Sequence, residues 1–221
     1  MTDIFREIDE EVRRDRAMQF WERYQTWIIA LAIIVVVAAG GWRYWQYQNR
    51  MAAEAAGAQF EKAVSLERDG KMKEAEQAYA EIAKSGAAGY RMLSRLREAA
   101  TTAAREPAAA IKQFEAIGAD QTLDPLIRDA ARLRAAMLQV DGETPFAEIE
   151  KSLTPLAAPT GVYRHTAREL LALAAVKANN YEAATKWLDM VVADPQAPNA
   201  LRQRVVLLQA VVASGAPPSA K

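Results

Sequence analysis

Residues able to do chemistry are few in this chain. Among 221 residues there is one histidine, His165, and no cysteine. Without thiols there can be no disulfide, thiol nucleophile, iron–sulfur cluster, thiolate zinc site or lipid-modified N-terminal cysteine. A single imidazole also excludes a multi-histidine metal site. A Ser-His-Asp relay would have to use His165. That residue sits inside a repeated segment, where the other two copies carry Met92 and Asp129. A solvent-facing helical histidine is expected there. No Gly-rich phosphate loop occurs. The acids are spread along the chain, some of them three or four residues from an arginine, as in Asp124–Arg128 and Asp129–Arg132. The expectation is no catalytic residue, no cofactor, no metal and no small-molecule substrate.

One pattern of charge is regular enough to bind something. Arg91/Arg95, Arg128/Arg132 and Arg164/Arg168 are three i, i+4 pairs. Each follows an apolar residue and brackets a small one: Tyr90-Arg91-Met92-Leu93-Ser94-Arg95, Ile127-Arg128-Asp129-Ala130-Ala131-Arg132 and Tyr163-Arg164-His165-Thr166-Ala167-Arg168. On a helix, i and i+4 share a face. If that helix lines a concave surface, the pairs form a basic stripe able to grip carboxylates of a partner peptide. The alternative is that Asp124, Glu98 and Glu169 pair with them in a solvated lattice.

The elements that must position these arginines repeat as well. Eight residues after the first arginine of each segment stands an alanine: Ala99, Ala136 and Ala172. Ala63 marks an earlier unit without the arginines. A second small position follows at Ala75, Ala110, Ala147 and Ala183, then Tyr79, Phe114, Lys151 and Trp187 four residues on, then Ile82, Ile117, Thr154 and Met190. Lys151 and Thr154 break the pattern in the third unit, where Ile149 and Leu153 are expected to take over the buried face. This resembles the tetratricopeptide pattern, in which small residues let paired antiparallel helices approach closely and units stack into a solenoid. The spacing predicts about four helix pairs. A final helix near 199–213, with Leu201, Val205, Leu208 and Val212, would cap the last unit. Gly70, Gly142 and Asn179-Asn180 mark turns. Asp124-Pro125 and Thr144-Pro145 read as N-caps followed by proline in the first helical position. Composition agrees with an all-α fold, since the chain is rich in alanine, the strongest helix former, and has only 10 Gly and 9 Pro.

Ahead of the repeats lies a segment of another kind. No charge occurs between Arg23 and Arg43. Nineteen helical residues rise about 28 Å, close to the thickness of a bilayer core. Trp21, Tyr24 and Trp27 precede the stretch, and Trp42, Tyr44, Trp45 and Tyr47 follow it, as expected of an interfacial aromatic belt. A signal peptide ending at Val37-Ala38-Ala39-Gly40 is the rival reading. However, the 26 residues before the apolar run carry seven acids, unlike a short basic leader. Five arginines stand before the span (Arg6, Arg13, Arg14, Arg16, Arg23) and two after it (Arg43, Arg50), which places the N-terminus in the cytoplasm. The expected organisation is a cytoplasmic tail at 1–23, a transmembrane anchor at 24–47, a repeat domain at 48–213 on the far side of the membrane and a disordered tail at 214–221. In the N-terminal tail, Ile4, Phe5, Ile8 and Val12 recur at helical spacing. The balance of 28 Lys+Arg against 28 Asp+Glu argues against a nucleic-acid partner, which needs a basic surface to displace counterions.

Gly41-Trp42-Arg43-Tyr44-Trp45 closes the apolar helix. That pentapeptide, between an N-terminal anchor and a degenerate tetratricopeptide domain, resembles the YfgM-type ancillary subunits of the bacterial Sec translocon. The resemblance implies a non-enzymatic scaffold in the inner membrane with a periplasmic repeat domain. Its partners would be the Sec channel, a membrane-anchored periplasmic chaperone and client polypeptides. It also directs attention to Gly40, Gly41, Trp42, Arg43, Tyr44 and Trp45 as the membrane-contact region. Two other readings stay open: a cleaved, soluble periplasmic repeat protein of envelope assembly or division, and a signalling adaptor working through its cytoplasmic tail.

Overall fold

The computed structural model describes the backbone of residues 2–215 and the side chains of Met18 and residues 21–215. The face expected from Ile4, Phe5, Ile8 and Val12, and residues 216–221 of the expected tail, lie outside the described residues. Among the described residues there are nine helices and no strand. They are α1 (Thr2–Arg68), α2 (Met72–Ser85), α3 (Ala88–Ala103), α4 (Pro107–Ala119), α5 (Pro125–Asp141), α6 (Phe146–Leu153), α7 (Arg164–Lys177), α8 (Tyr181–Val192) and α9 (Asn199–Ala213). The chain divides into two units, Met1–Ala55 and Ala56–Lys221.

In the second unit the helices pair as the alanine spacing predicts. The end of α1 pairs with α2, α3 with α4, α5 with α6 and α7 with α8, and α9 follows against α8. Ala63, Ala99, Ala136 and Ala172, one on each first helix, are all completely buried. So are Ser94, Ala131 and Ala167, which explains why each arginine pair brackets a small residue. A larger side chain there would force the helices apart.

The second helices share a buried triplet spaced i, i+4, i+7. It is Ala75/Tyr79/Ile82 on α2, Ala110/Phe114/Ile117 on α4, Ile149/Leu153/Leu156 on and just past α6, and Ala184/Leu188/Val191 on α8. Two of the expected small positions therefore move. Ala147 is exposed, and Ile149 occupies its place. On α8 the closely packed residue is Ala184, with Ala183 only half-buried. Lys151 and Thr154 are exposed, while Ile149 and Leu153 fill the core as anticipated. Trp187 remains buried beside the triplet and packs into the cluster formed by α5 to α9. Burying each of these large side chains is worth roughly 1.5–3 kcal/mol.

Aromatic packing joins successive units. Phe60 lies 5.4 Å from the Tyr79 ring and 5.8 Å from that of Tyr90, the first residue of the next repeated segment. Tyr79 donates its phenol to Glu67 Oε2 at 2.9 Å. Burial first, then that carboxylate, pushes the phenol pKa up to about 12. Phe114 and Ile117 of α4 pack with Ala99 of α3 and Ala131 and Ala135 of α5. Close approach is needed at Gly118, where a Cβ would stand 2.7 Å from Arg132 Cγ.

Turn chemistry explains the boundaries. Asp124 Oδ1 accepts the Leu126 N–H at 2.8 Å and Pro125 opens α5. Asn180 Oδ1 accepts from Ala183 N at 3.1 Å to cap α8, and Asn179 adopts a positive φ of 57°. Gly70 has a φ of 74° between α1 and α2, a conformation open to glycine at no steric cost. The expectation at α6 was one residue early. Pro145 itself is the N-cap, and Thr144 makes no capping bond. At the other end of α5, Lys177 Nζ donates to Val140 O at 2.9 Å and Asp141 O at 3.2 Å, and also to Gly142 O. A lysine there satisfies carbonyls that the helix leaves unpaired and complements the negative end of its dipole.

Candidate interaction surfaces

The three arginine pairs sit on α3, α5 and α7, the first helices of their units. Three of these arginines turn toward the end of their own second helix. Arg95 Nη1 meets Asp120 Oδ2 at 2.7 Å, just past α4. Arg164 Nε meets Asp194 Oδ2 at 2.7 Å, just past α8, and Arg168 Nη1 reaches the same oxygen at 3.2 Å. Arg168 is only 4 % exposed. It also donates from Nε to Ala157 O and from Nη1 to Met190 O, both at 3.0 Å. One guanidinium thus ties together the loop after α6, helix α7 and the end of α8. The remaining three differ. Arg132 pairs with Asp129 at 3.1 Å, Arg128 Nη1 donates to Gln121 Oε1 at 2.7 Å, and Arg91 is exposed with a 3.4 Å bond to Gly86 O.

Asp194 is the hub of the densest polar cluster. Its Oδ1 accepts the Gln196 N–H at 3.0 Å, and His165 Nε2 lies 3.0 Å from Oδ2. The hydrogen bond from Arg164 contributes most to holding this carboxyl well below the usual carboxylate range. Asp120 is lowered to about 2, first by the Thr122 hydroxyl and then by Arg95. His165 is therefore not solvent-facing as its segment suggested: its side chain is 16 % exposed and turned to Asp194.

The anticipated acids were also different ones. Asp124 caps α5 and Glu169 pairs with Arg204 at 2.8 Å. The carboxyl of Glu98 has a raised pKa through burial and the nearby Glu76 charge. Asp120 and Asp194 were missed because they lie 25 to 30 residues beyond their arginines. The signal was an acid placed directly after the second helix of the unit. The third unit lacks one, and there Arg168 of the next unit bonds the Ala157 carbonyl instead.

The repeat surface carries a shallow groove of about 510 Å³ beside the α5–α6 turn. Pro107, Ile111, Leu138 and Pro145 line it together with Glu143 and Glu148. Among the described residues no group of three or more Asp, Glu or His is placed to hold a metal ion.

In the first unit, residues 27–37 present an apolar surface. Trp27 is 75 % exposed, and Ile28, Ile29, Leu31, Ile33, Ile34, Val35, Val36 and Val37 are also exposed. This helix is long and apolar enough to cross a membrane, and none of its most apolar stretch is buried. Of the residues expected at the membrane, Gly40, Gly41, Trp42, Arg43 and Tyr44 are exposed, and a Cβ on either glycine would meet nothing within 4 Å. Trp45 is 58 % exposed, its ring 5.4 Å from that of Trp42.

Stacked helix pairs with buried small residues on both partners are the hallmark of a repeat solenoid. Consistent with this geometry, the profile of the tetratricopeptide repeat-like domain matches residues 18–161. The chain belongs to this family. The match to the tetratricopeptide repeat-like domain begins three residues before Trp21, takes in the apolar stretch and ends ahead of α7. No curated protein and no solved structure gives a significant match to the chain. A tetratricopeptide repeat-like domain is a protein-interaction scaffold, and such domains are typically non-catalytic.

Proposed function

We propose that this tetratricopeptide repeat-like protein is a membrane-anchored scaffold of the YfgM type. Residues 24–47 cross the bacterial inner membrane with the N-terminus cytoplasmic, and residues 48–213 form the periplasmic domain. It associates with the Sec translocon and helps pass translocated polypeptides to a membrane-anchored periplasmic chaperone. The observation that carries the reading is the helical stretch from Trp27 to Val37, whose large apolar side chains are all exposed. Water does not tolerate a continuous apolar surface of that size, whereas a bilayer requires it. The resemblance of Gly41-Trp42-Arg43-Tyr44-Trp45 to the ancillary translocon subunits supplies the partner.

Labour divides between the two units. Channel association depends on residues 24–47, where packing is insensitive to salt, and client or chaperone contact depends on the repeat domain. Of the arginine ladder, Arg91 is the member most available to a partner, since Arg95, Arg164 and Arg168 are held by aspartates. The groove lined in part by Pro107, Ile111, Leu138 and Pro145 offers an apolar seat for an extended polypeptide.

The test exchanges residues 24–47 for an unrelated membrane helix. Co-purification with the channel should be lost while the repeat domain stays folded. Undiminished co-purification would refute the division. A mature chain beginning near Gly40 would replace the anchor with a cleaved leader.

A further inference from the structure

We propose that one face of the helix just past the apolar stretch binds the phosphate of an anionic phospholipid, through Arg43 and Arg50 with Tyr44 and Tyr47. This rests on the reading of residues 24–47 as a membrane anchor. At 100° per residue, positions 40, 43, 47 and 50 fall on one side of a helix. Trp42 and Trp45, with ring centroids 5.4 Å apart, fall on the other. The aromatic belt thus has two unlike faces. One is indole, suited to the apolar edge of the interface. The other carries two guanidiniums and two phenols.

Among the described residues no ion pair neutralises the charges on that face. No acid occurs in the sequence between Glu22 and Glu54. Neither Arg43 nor Arg50 has a hydrogen bond or ion pair with another described residue, in contrast to Arg164 and Arg168. Glu54, one turn beyond Arg50, makes no ion pair with it. Two unpartnered cations on one helix face attract an anion.

The shape fits as well. Gly40, Arg43, Tyr44, Gln46, Tyr47 and Arg50 line a shallow depression of about 450 Å³. Gly40 leaves it open, since a Cβ there would touch nothing within 4 Å. Arg43 and Arg50 are two turns apart, roughly 10 Å along the axis. Their side chains can converge on one phosphate lying over Tyr47 from above and below. Tyr44 accepts a hydrogen bond from Gln48 Nε2 at 2.8 Å, which leaves its own O–H free to donate. Guanidinium and phenol are both donors, matched to the acceptor-only oxygens of a phosphodiester.

The depth selects the source of the phosphate. Arg43 directly follows Trp42, the last residue of the uncharged run. In a spanning helix that is the level of the headgroups. A headgroup of net negative charge is favoured over a zwitterionic one, whose ammonium would meet Arg43 or Arg50.

The experiment titrates the full-length protein, purified and delipidated in mild detergent, with phosphatidylglycerol, phosphatidylcholine or inorganic phosphate. Native mass spectrometry reads the bound molecules. Phosphatidylglycerol should bind about tenfold more tightly than phosphatidylcholine, as expected for two guanidiniums at an anionic surface. R43Q/R50Q should erase that preference, while R23Q keeps it. Equal binding of the two lipids, an unchanged preference in R43Q/R50Q, or an equal loss in R23Q would overturn the site. So would tight binding of inorganic phosphate alone, or loss of channel co-purification in R43Q/R50Q with lipid binding intact, which would assign the arginines to a protein partner. Carbonate-resistant insertion into phosphatidylcholine vesicles is measured in parallel. Insertion without lipid preference sinks only the phosphate site. Failure to insert sinks the anchor, and the phosphate site with it.

Discussion

Residues 21–50 and the repeats from Ala56 onward are both helical, and they treat the same residue types in opposite ways. In the first stretch the large aliphatic side chains face outward, and Arg43 and Arg50 have no partner among the described residues. In the repeats Leu171, Leu188 and Val191 are completely buried, and Arg164 and Arg168 close on Asp194. Helix propensity is blind to this difference, because alanine, leucine and arginine are good helix formers in either place. What differs is the period of the pattern. The repeats alternate apolar and polar residues so that each helix has one face to bury. The stretch from Trp27 to Gly41 is apolar all round, and no single packed face could satisfy it.

Five experiments test this contrast. The largest effect is expected at Trp187, whose removal empties the core between α7, α8 and α9. Trp187→Ala should lower the unfolding free energy of the full chain in mild detergent by about 3–5 kcal/mol, read from urea melts. A loss below about 1 kcal/mol would mean that α8 does not pack as described. The matching test in the first stretch is Val36→Arg, at a side chain 71 % exposed. On a water-facing surface this change is nearly neutral. In the middle of a bilayer it should cost about 2.5–3.5 kcal/mol of insertion, measured as the membrane-integrated fraction. A fully integrated variant would argue that Val36 meets water or protein.

Next comes overpacking. Ala172 is completely buried where α7 meets its neighbours, and Ala172→Trp should destabilise by roughly 1–3 kcal/mol or more in the same melts. The Asp194 cluster is tested by pH. A carboxyl with a depressed pKa contributes stability that is fully present above the unfolded value of about 3.9 and lost as pH falls below it. Asp194→Asn should therefore lower the urea midpoint at neutral pH and flatten its decline between pH 4 and pH 2. Asp120→Asn should do the same more weakly, since one arginine faces it rather than two arginines and a histidine. A midpoint in D194N that equals the native one at pH 7 would show the clasp to be dispensable. The smallest effect is expected at Lys151. It is exposed on α6, so Lys151→Ala should shift stability by less than about 0.5 kcal/mol.

Much of the repeat architecture was legible in the sequence. Ala63, Ala99, Ala136 and Ala172 recur at nearly constant spacing because each marks the same close helix contact. The final helix was expected at 199–213, and α9 spans Asn199–Ala213. The second helices were harder to read. The connection into α6 is longer than in the other units, so counting forward from Ala136 lands on Ala147 rather than Ile149. A one-residue shift on α8 likewise separates Ala183 from Ala184. Periodicity gives the face of a helix, but small residues beside one another make its exact register ambiguous.

The all-helical class, the repeat, the lack of thiol chemistry and the one long uncharged helical stretch are already present in the order of the residues. These follow from local propensity and from periods along the chain. The partners of the arginines, by contrast, depend on how the helices pack. As i, i+4 pairs, Arg95, Arg164 and Arg168 could have formed an open basic stripe. Folding instead brings Asp120 and Asp194, which lie 25 to 30 residues downstream, to the ends of the paired helices. It also turned His165 from an expected solvent position to Asp194. The physical reason is that a helical period specifies which side of a helix a residue occupies, whereas its partner is set by how the helices stack. Arg43 and Arg50 share the same chemistry as the clasped arginines. Among the described residues they make no ion pair, not even with Glu54 one turn beyond Arg50.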